Sequence, residues 1–322
     1  MFAGCVALAA VSLTLRSTLT HDSWAWVLWG RELAGLGLDL SGPLPAWKPL
    51  PVLVTTLLAG FGDAAPLLWL VVARTGALLA VALAYRLARR TAGRLAGAVA
   101  ATSLLLSVGF ADYMVPLGLS EPMLGALVLW AVERHLDGRS DHAFALGFAA
   151  ALIRPEVWPF WLLYGVVAWR AHPHRRFLGG LLVAAVPVLW FAPDLLVAGD
   201  VTRSFDAGRV ETAPLMASSP GMAVLDAARR GLHRGAWVGV VIALGSAATG
   251  VARWQARLVA VTLAVLGACW VGLIAAMAQF GLGGGLVRFL IVGSAAFSVL
   301  AGIGWAQAVG AGARLLAGVG WR

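Results

Sequence analysis

The chain is poor in charge, cysteine and long polar stretches, and each shortage closes off a class of protein. Charged residues make up 12% of the 322 positions against 61% hydrophobic ones. The mean hydropathy is +0.86, which excludes an ordinary soluble domain. No polar stretch exceeds a few dozen residues, so no aqueous domain of any size is expected, including a soluble C-terminal one. Cys5 and Cys269, both in apolar surroundings, are too few to frame disulfides or a metal site. The six histidines carry no ligand spacing, and His135, His142, His172 and His174 fall on the inner side as defined below. The opening FAGC faintly resembles a lipoprotein cleavage motif, but neither a charged segment nor a full apolar one precedes Cys5. The first helix is therefore expected to be a retained span. No internal repeat is evident, which argues against transporter folds built from duplicated halves.

What the chain has instead is a succession of apolar stretches approaching the roughly 20 residues that a bilayer-spanning helix needs. Ten spans are expected, near 2–19, 66–88, 94–109, 119–136, 142–154, 156–170, 177–195, 235–252, 257–278 and 287–309. Pro66 suits a first helical turn, and Pro155 disfavours helix at Arg154. The expected fold is one all-α polytopic membrane domain over 1–322. It has a long first outer loop at 20–65, holding interfacial helices, and a second at 196–232. The apolar piece 49–61 is too short to cross and is expected to lie in the interface.

Orientation follows from arginine. Clusters at Arg86/Arg89/Arg90/Arg94, Arg134/Arg139, Arg170/Arg175/Arg176, Arg253/Arg257 and Arg314/Arg322 fall at every second loop. They total thirteen bases against three acids there, Glu133, Asp137 and Asp141. The positive-inside rule makes these loops and both termini cytoplasmic. A pI near 11.1 thus reports membrane topology and not nucleic-acid binding.

The remaining charges converge on the outer face, and ionisable groups at membrane depth are expensive enough to be functional candidates. The richest stretch is His21–Pro51, which holds Asp22, Arg31, Glu32, Asp39, Lys48 and four tryptophans. Asp22 precedes a helix-like WAWVLWGREL run, where it is open to capping that helix or to serving as a general base. Trp24, Trp26, Trp29 and Trp47 suit either an aromatic belt or sugar stacking. Asp112 and Glu121 flank the turn before the fourth span, with capping again the plain alternative for Glu121. Arg154 with Glu156, and Arg288, mark the outer edges of apolar helices. Arginine there either reaches for lipid headgroups or binds phosphate bidentately. Asp194, Asp200, Arg203, Asp206, Arg209 and Glu211 fill the second loop. Arg74, inside the second span, is expected to pair with an outer acid.

Read in order, these features resemble the GT-C superfamily of membrane glycosyltransferases that use lipid-phosphate sugars. The resemblance rests on Asp22 after the first span, the WAWVLWGREL helix, W-K-P-L-P (Trp47–Pro51) and the Phe61-Gly62 exit. It continues through L-S-E-P (Leu119–Pro122), I-R-P-E (Ile153–Glu156), A-G-D-V-T-R-S (Ala198–Ser204) and G-L-V-R-F-L…L-A-G-I-G (Gly285–Gly304). It departs at Ser23, where a second acid usually follows the first. The resemblance implies a polyprenyl-phosphate sugar donor and a glycan, lipid or protein acceptor, with the site facing away from the cytoplasm. Asp22 is then the general base, and Arg154 and Arg288 hold the donor phosphate. Trp24, Trp47, Lys48, Asp112, Glu121 and Glu156 contact sugar or acceptor. No cofactor is certain, and a divalent metal shared by Glu121 or Asp112 is left open. Asp22, Arg154 and Arg288 should then line one cavity. The rival readings are a transporter or flippase for lipid-linked sugars and a non-catalytic scaffold of an envelope-assembly complex. Gly/Ala-rich composition with Arg replacing Lys almost everywhere suggests a high-GC bacterium and hence its plasma membrane.

Overall fold

The computed structural model describes residues 1–41, 45–171, 176–212, 219–250, 254–283 and 287–319, with the side chains of 171, 208–212 and 317–319 left aside. Arg175, Arg253, Arg322, His172, His174, Gly285 and Leu286 lie outside the described residues, as do the side chains of Arg209 and Glu211. The described chain is helical. The helices are α1 (Phe2–Val11), α2 (His21–Ala34), α3 (Pro49–Leu58), α4 (Ala65–Ala92), α5 (Arg94–Leu105), α6 (Glu121–Leu136) and α7 (Ser140–Ala151). They continue as α8 (Trp158–Ala171), α9 (Arg176–Pro193), α10 (Arg203–Thr212), α11 (Pro220–Gly231), α12 (Arg234–Ala248), α13 (Trp254–Gln279) and α14 (Ile291–Val319). Proline sets several starts: Pro49, Pro66, Pro122 and Pro220 each stand in a first turn, where a missing N–H costs nothing.

Each segment read as a span contains a helix, but length separates them. Four stretches are long and apolar enough to cross a membrane: Pro49–Ala92, Arg176–Ala198, Trp254–Gln279 and Val287–Leu316. The first of these is two helices, because Gly62 leaves helical geometry at φ +55° between α3 and α4. The rest of the expected ten are helices of 10 to 16 residues, among them α1, α5, α6, α7 and α12. At 1.5 Å per residue even the longest reaches only about 24 Å, short of a hydrocarbon core of about 30 Å.

α14 is the hub of the bundle, packed against α4, α5, α6, α12 and α13. Close approach is possible because a glycine faces the partner backbone. A Cβ at Gly304 would stand 1.8 Å from the Gly239 carbonyl oxygen on α12. The first loop carries a second, smaller core of Trp26, Trp29, Leu40, Trp47, Val52 and Trp69. There Gly30 lets α2 lie directly on Thr55 of α3, whose hydroxyl donates to the Trp26 carbonyl at 2.6 Å. At the end of the bundle that holds the arginines read as cytoplasmic, Arg86 pairs with Glu133 at 3.1 Å and Arg90 with Asp137, joining α4 to α6.

Arg74 corrects one expectation. Its Nη1 donates to the carbonyl and hydroxyl of Ser12, at 2.6 and 3.0 Å, where an outer acid was expected. A cation at the end of α1 satisfies carbonyls that the helix leaves open.

The Gly304 contact yields a stability test. Gly304→Val should lower the melting temperature of the detergent-solubilised protein by several degrees or prevent its recovery. Gly310→Ala, with nothing within 4 Å of its Cβ position, should leave melting within about a degree of wild type.

Candidate active site

The site is assembled from the ends of helices, where a charged side chain can leave an apolar bundle without breaking it. α2 starts at His21, and its cap is Thr20, whose side-chain oxygen accepts the Ser23 amide at 3.3 Å. Asp22 is thus relieved of capping, and its carboxylate turns to Arg288, with Oδ2 2.6 Å from Nη1. Ser23 donates its hydroxyl to the Gly118 carbonyl at 2.9 Å, and the Trp69 indole N–H reaches the same oxygen at 3.0 Å. The position where the resembling family places a second acid is therefore a hydroxyl pinning α2 to the turn before α6.

Glu121, the first residue of α6, is the centre of the cluster and fully buried. Its Oε1 accepts from Lys48 Nζ at 2.8 Å and Arg154 Nη1 at 3.1 Å, with Arg288 Nε 4.0 Å away. Its Oε2 is buried without a hydrogen-bond partner. Arg154 also clasps Glu156 bidentately, Nη2 to Oε1 at 2.6 Å and Nε to Oε2 at 3.0 Å. The Phe289 ring lies under both guanidiniums, 3.7 Å from that of Arg154 and 5.5 Å from that of Arg288. Lys48 sits 4.8 Å from the centre of the Trp26 ring. Burial pushes the Lys48 ammonium below the usual lysine range, and the Glu121 carboxylate opposes that push. Three carboxylates thus face three cations, none more than 7% exposed, and the formal charge of the set is zero. Buried ion pairs recover their desolvation cost poorly, so six such groups in one place point to a site.

The cluster opens onto one cavity of about 90 Å³, and Asp22, Arg154 and Arg288 all line it, with Lys48 and Glu156. The rest of its wall includes Trp190, Ser204, Phe205, Met277, Leu282 and Phe289. Four residues read as sugar- or acceptor-facing stand elsewhere. Trp24 is 49% exposed and not part of the wall. Trp47 is buried in the loop core, where its indole N–H donates to the Leu189 carbonyl at 3.1 Å and its ring packs on Trp29. Asp112 is exposed in the turn 110–114. Glu121 lies behind the cations instead of lining the cavity, because three of them surround it. Among the described residues no three His, Cys, Asp or Glu side chains gather as a metal-ligand set. The acids of the cluster are engaged by cations, and the metal left open in the sequence finds no donor set here.

The sequence reading passed over Trp190, Ser204 and Phe205. One usable signal was Lys48 itself, the only lysine among 24 basic residues. A second was the run Asp200–Ser204, which the motif comparison touched without assigning Ser204 a task.

The Ser23 geometry predicts a sharp asymmetry. Ser23→Ala should cost about 1 kcal/mol of stability, the usual worth of one buried hydrogen bond. Ser23→Asp should cost several times more, since it presses a carboxylate against the Gly118 carbonyl. Thermal melting of both variants checks this; equal melting would contradict the geometry.

No family model matches the chain, and no curated protein matches it. Among solved structures it is similar to ArnT from Cupriavidus metallidurans bound to undecaprenyl phosphate, with a TM-score of 0.55 and 16% identity. The likeness covers 98% of this chain and 63% of that one, so the chain spans less than two thirds of ArnT's length. What the two share is the fold.

Proposed function

We propose that the protein is a membrane glycosyltransferase that moves a sugar from a polyprenyl-phosphate donor to an acceptor on the extracytoplasmic face of a bacterial plasma membrane. The observation that carries this reading is the convergence of Asp22, Lys48, Arg154 and Arg288 on one cavity walled by aromatic and apolar residues. A phosphate needs fixed cations, and a prenyl chain and sugar ring need apolar surface. The shared fold supports the same reading, since ArnT was solved with undecaprenyl phosphate bound. At about 90 Å³ the cavity is well above the roughly 10–15 Å³ that one water needs, and in this reading it takes the polar head of the donor while the lipid leaves through the mouth.

In this reading Asp22 takes the proton of the acceptor hydroxyl as its oxygen attacks the anomeric carbon. The bond from that carbon to the phosphate oxygen breaks with its electron pair, and polyprenyl phosphate departs against Arg154, Arg288 and Lys48. The product is the glycosylated acceptor, inverted at the anomeric carbon, with the proton left on Asp22. Glu121 holds the three cations from behind, and Glu156 orients Arg154.

Charge balance adds a condition. The resting cluster is neutral, so an arriving phosphodiester must compete with an internal carboxylate for a cation. Asp22 and Glu156 both line the cavity, but Glu156 clasps Arg154 bidentately, whereas Asp22 meets Arg288 Nη1 through Oδ2. Donor binding at Arg288 thus frees the base for the acceptor.

Two measurements test the proposal. Purified protein incubated with radiolabelled polyprenyl-phosphate sugars and membrane acceptors should release polyprenyl phosphate, and Asp22→Ala should lower that rate at least about a hundredfold. Full activity in Asp22→Ala would sink Asp22 as base. Binding gives the second check: Asp22→Asn should hold undecaprenyl phosphate several-fold tighter than wild type, and Arg288→Gln at least about tenfold weaker.

A further inference from the structure

A buried acid outside the mechanism above joins the two long loops. Asp194 follows the last residue of α9 and is fully buried. Its Oδ2 accepts the Ser204 amide at 3.0 Å, in the first turn of α10, and its Oδ1 faces Arg203 Nη1 at 3.4 Å. Arg203 then donates through Nε to the Leu40 carbonyl of the first loop at 2.8 Å. The Ser204 hydroxyl accepts the backbone N–H of Trp47 at 2.9 Å, and the Trp47 indole returns to Leu189 of α9. These bonds do little for α9 itself. They tie segments that lie about 150 residues apart in sequence.

The residue after Trp47 is Lys48, which lines the cavity. On its other side the Leu50 amide donates to the Leu152 carbonyl at 3.0 Å, two residues before Arg154. Lys48 is thus bracketed by two backbone anchors, one from the second loop and one from the segment carrying Arg154. Lysine has a flexible four-carbon stem, so its charge has a defined position only if its backbone is fixed and its head is held. Glu121 and Trp26 hold the head. The Asp194–Ser204 pair holds the backbone.

We propose that Asp194 and Ser204 are positioning residues. They form a relay that fixes the Trp47–Lys48 backbone so that Lys48 meets the donor phosphate. This rests on the polyprenyl-phosphate reading above. The same relay places Phe205, stacked on Phe191 with ring centres 5.6 Å apart, in the cavity lining. Both loops therefore contribute to the wall only while the relay is intact.

The test is a mutant cycle on undecaprenyl-phosphate binding by the full chain in detergent, with hydrogen exchange alongside. Ser204→Ala and Asp194→Ala should each weaken binding about tenfold, the scale of losing one oriented charge contact. In a Lys48→Met background neither should weaken it further, because both act through Lys48. A substitution that merely loosens the fold would instead add its loss to that of Lys48→Met. The Trp47 amide should exchange at least tenfold faster in both single variants, with or without lipid. Additive losses, or an unchanged Trp47 exchange rate, would overturn the relay alone. A wild-type protein that binds no undecaprenyl phosphate would overturn the functional reading and this inference with it.

Discussion

Six ionised groups in an apolar helical bundle can persist only if they neutralise one another, and the geometry around the cavity follows from that constraint. An isolated buried charge costs several kcal/mol, and a pair recovers that only with good geometry and additional hydrogen bonds. Asp22, Lys48, Glu121, Arg154, Glu156 and Arg288 come from five separate stretches of chain, and each sits at or just outside a helix start. Placed there, a carboxylate gains from the helix dipole, as Glu121 does at the head of α6. The backbone is also free to turn the arginines inward. The cluster therefore fixes how α2, α3, α6, the 152–157 segment and the 287–290 segment meet. The 287–290 segment, packed against α11, α13 and α14, carries Arg288 to Asp22.

The same balance makes the site responsive. A neutral set of charges presents no strong field to an arriving anion, so specificity has to come from which internal pair yields. Arg154 is committed twice, bidentately to Glu156 and again to Glu121, and Lys48 is held between Glu121 and Trp26. Arg288 bears on Asp22 at the cavity wall, and that pair joins the proposed base to a proposed phosphate ligand. One exchange of partners then links donor binding to activation of the acceptor.

Much of this was legible in the chain because charge is rare in it. Asp22, Glu121, Arg154 and Arg288 stood out as costly exceptions in apolar surroundings, and the apolar runs marked the helices read as spans, though not α10 and α11, which lie inside the stretch read as the second outer loop. Other features were hidden because residue type does not encode its contacts. Four tryptophans in one loop suit a belt, a sugar platform or a core equally well. The bond from Trp47 to Leu189, 142 residues away, is what commits that ring to the core. Glu121 read as a capping or acceptor-facing acid because its partner Lys48 lies 73 residues earlier. Span lengths were overestimated where a helix stops before the apolar run does, as α1 does at Val11 and α5 at Leu105. Ser23 was marked as a missing acid, and only the Gly118 carbonyl beside it explains why a donor stands there.

The central claim is that a lipid phosphate enters this cluster by taking Arg288 from Asp22. The most direct measurement is an electron cryomicroscopy structure of the protein in nanodiscs with undecaprenyl phosphate. The account predicts phosphate density within hydrogen-bonding distance of Arg288 and Arg154, with the Asp22 carboxylate turned away from Arg288. Phosphate density outside the cavity, with the 2.6 Å Asp22–Arg288 pair intact, would contradict it.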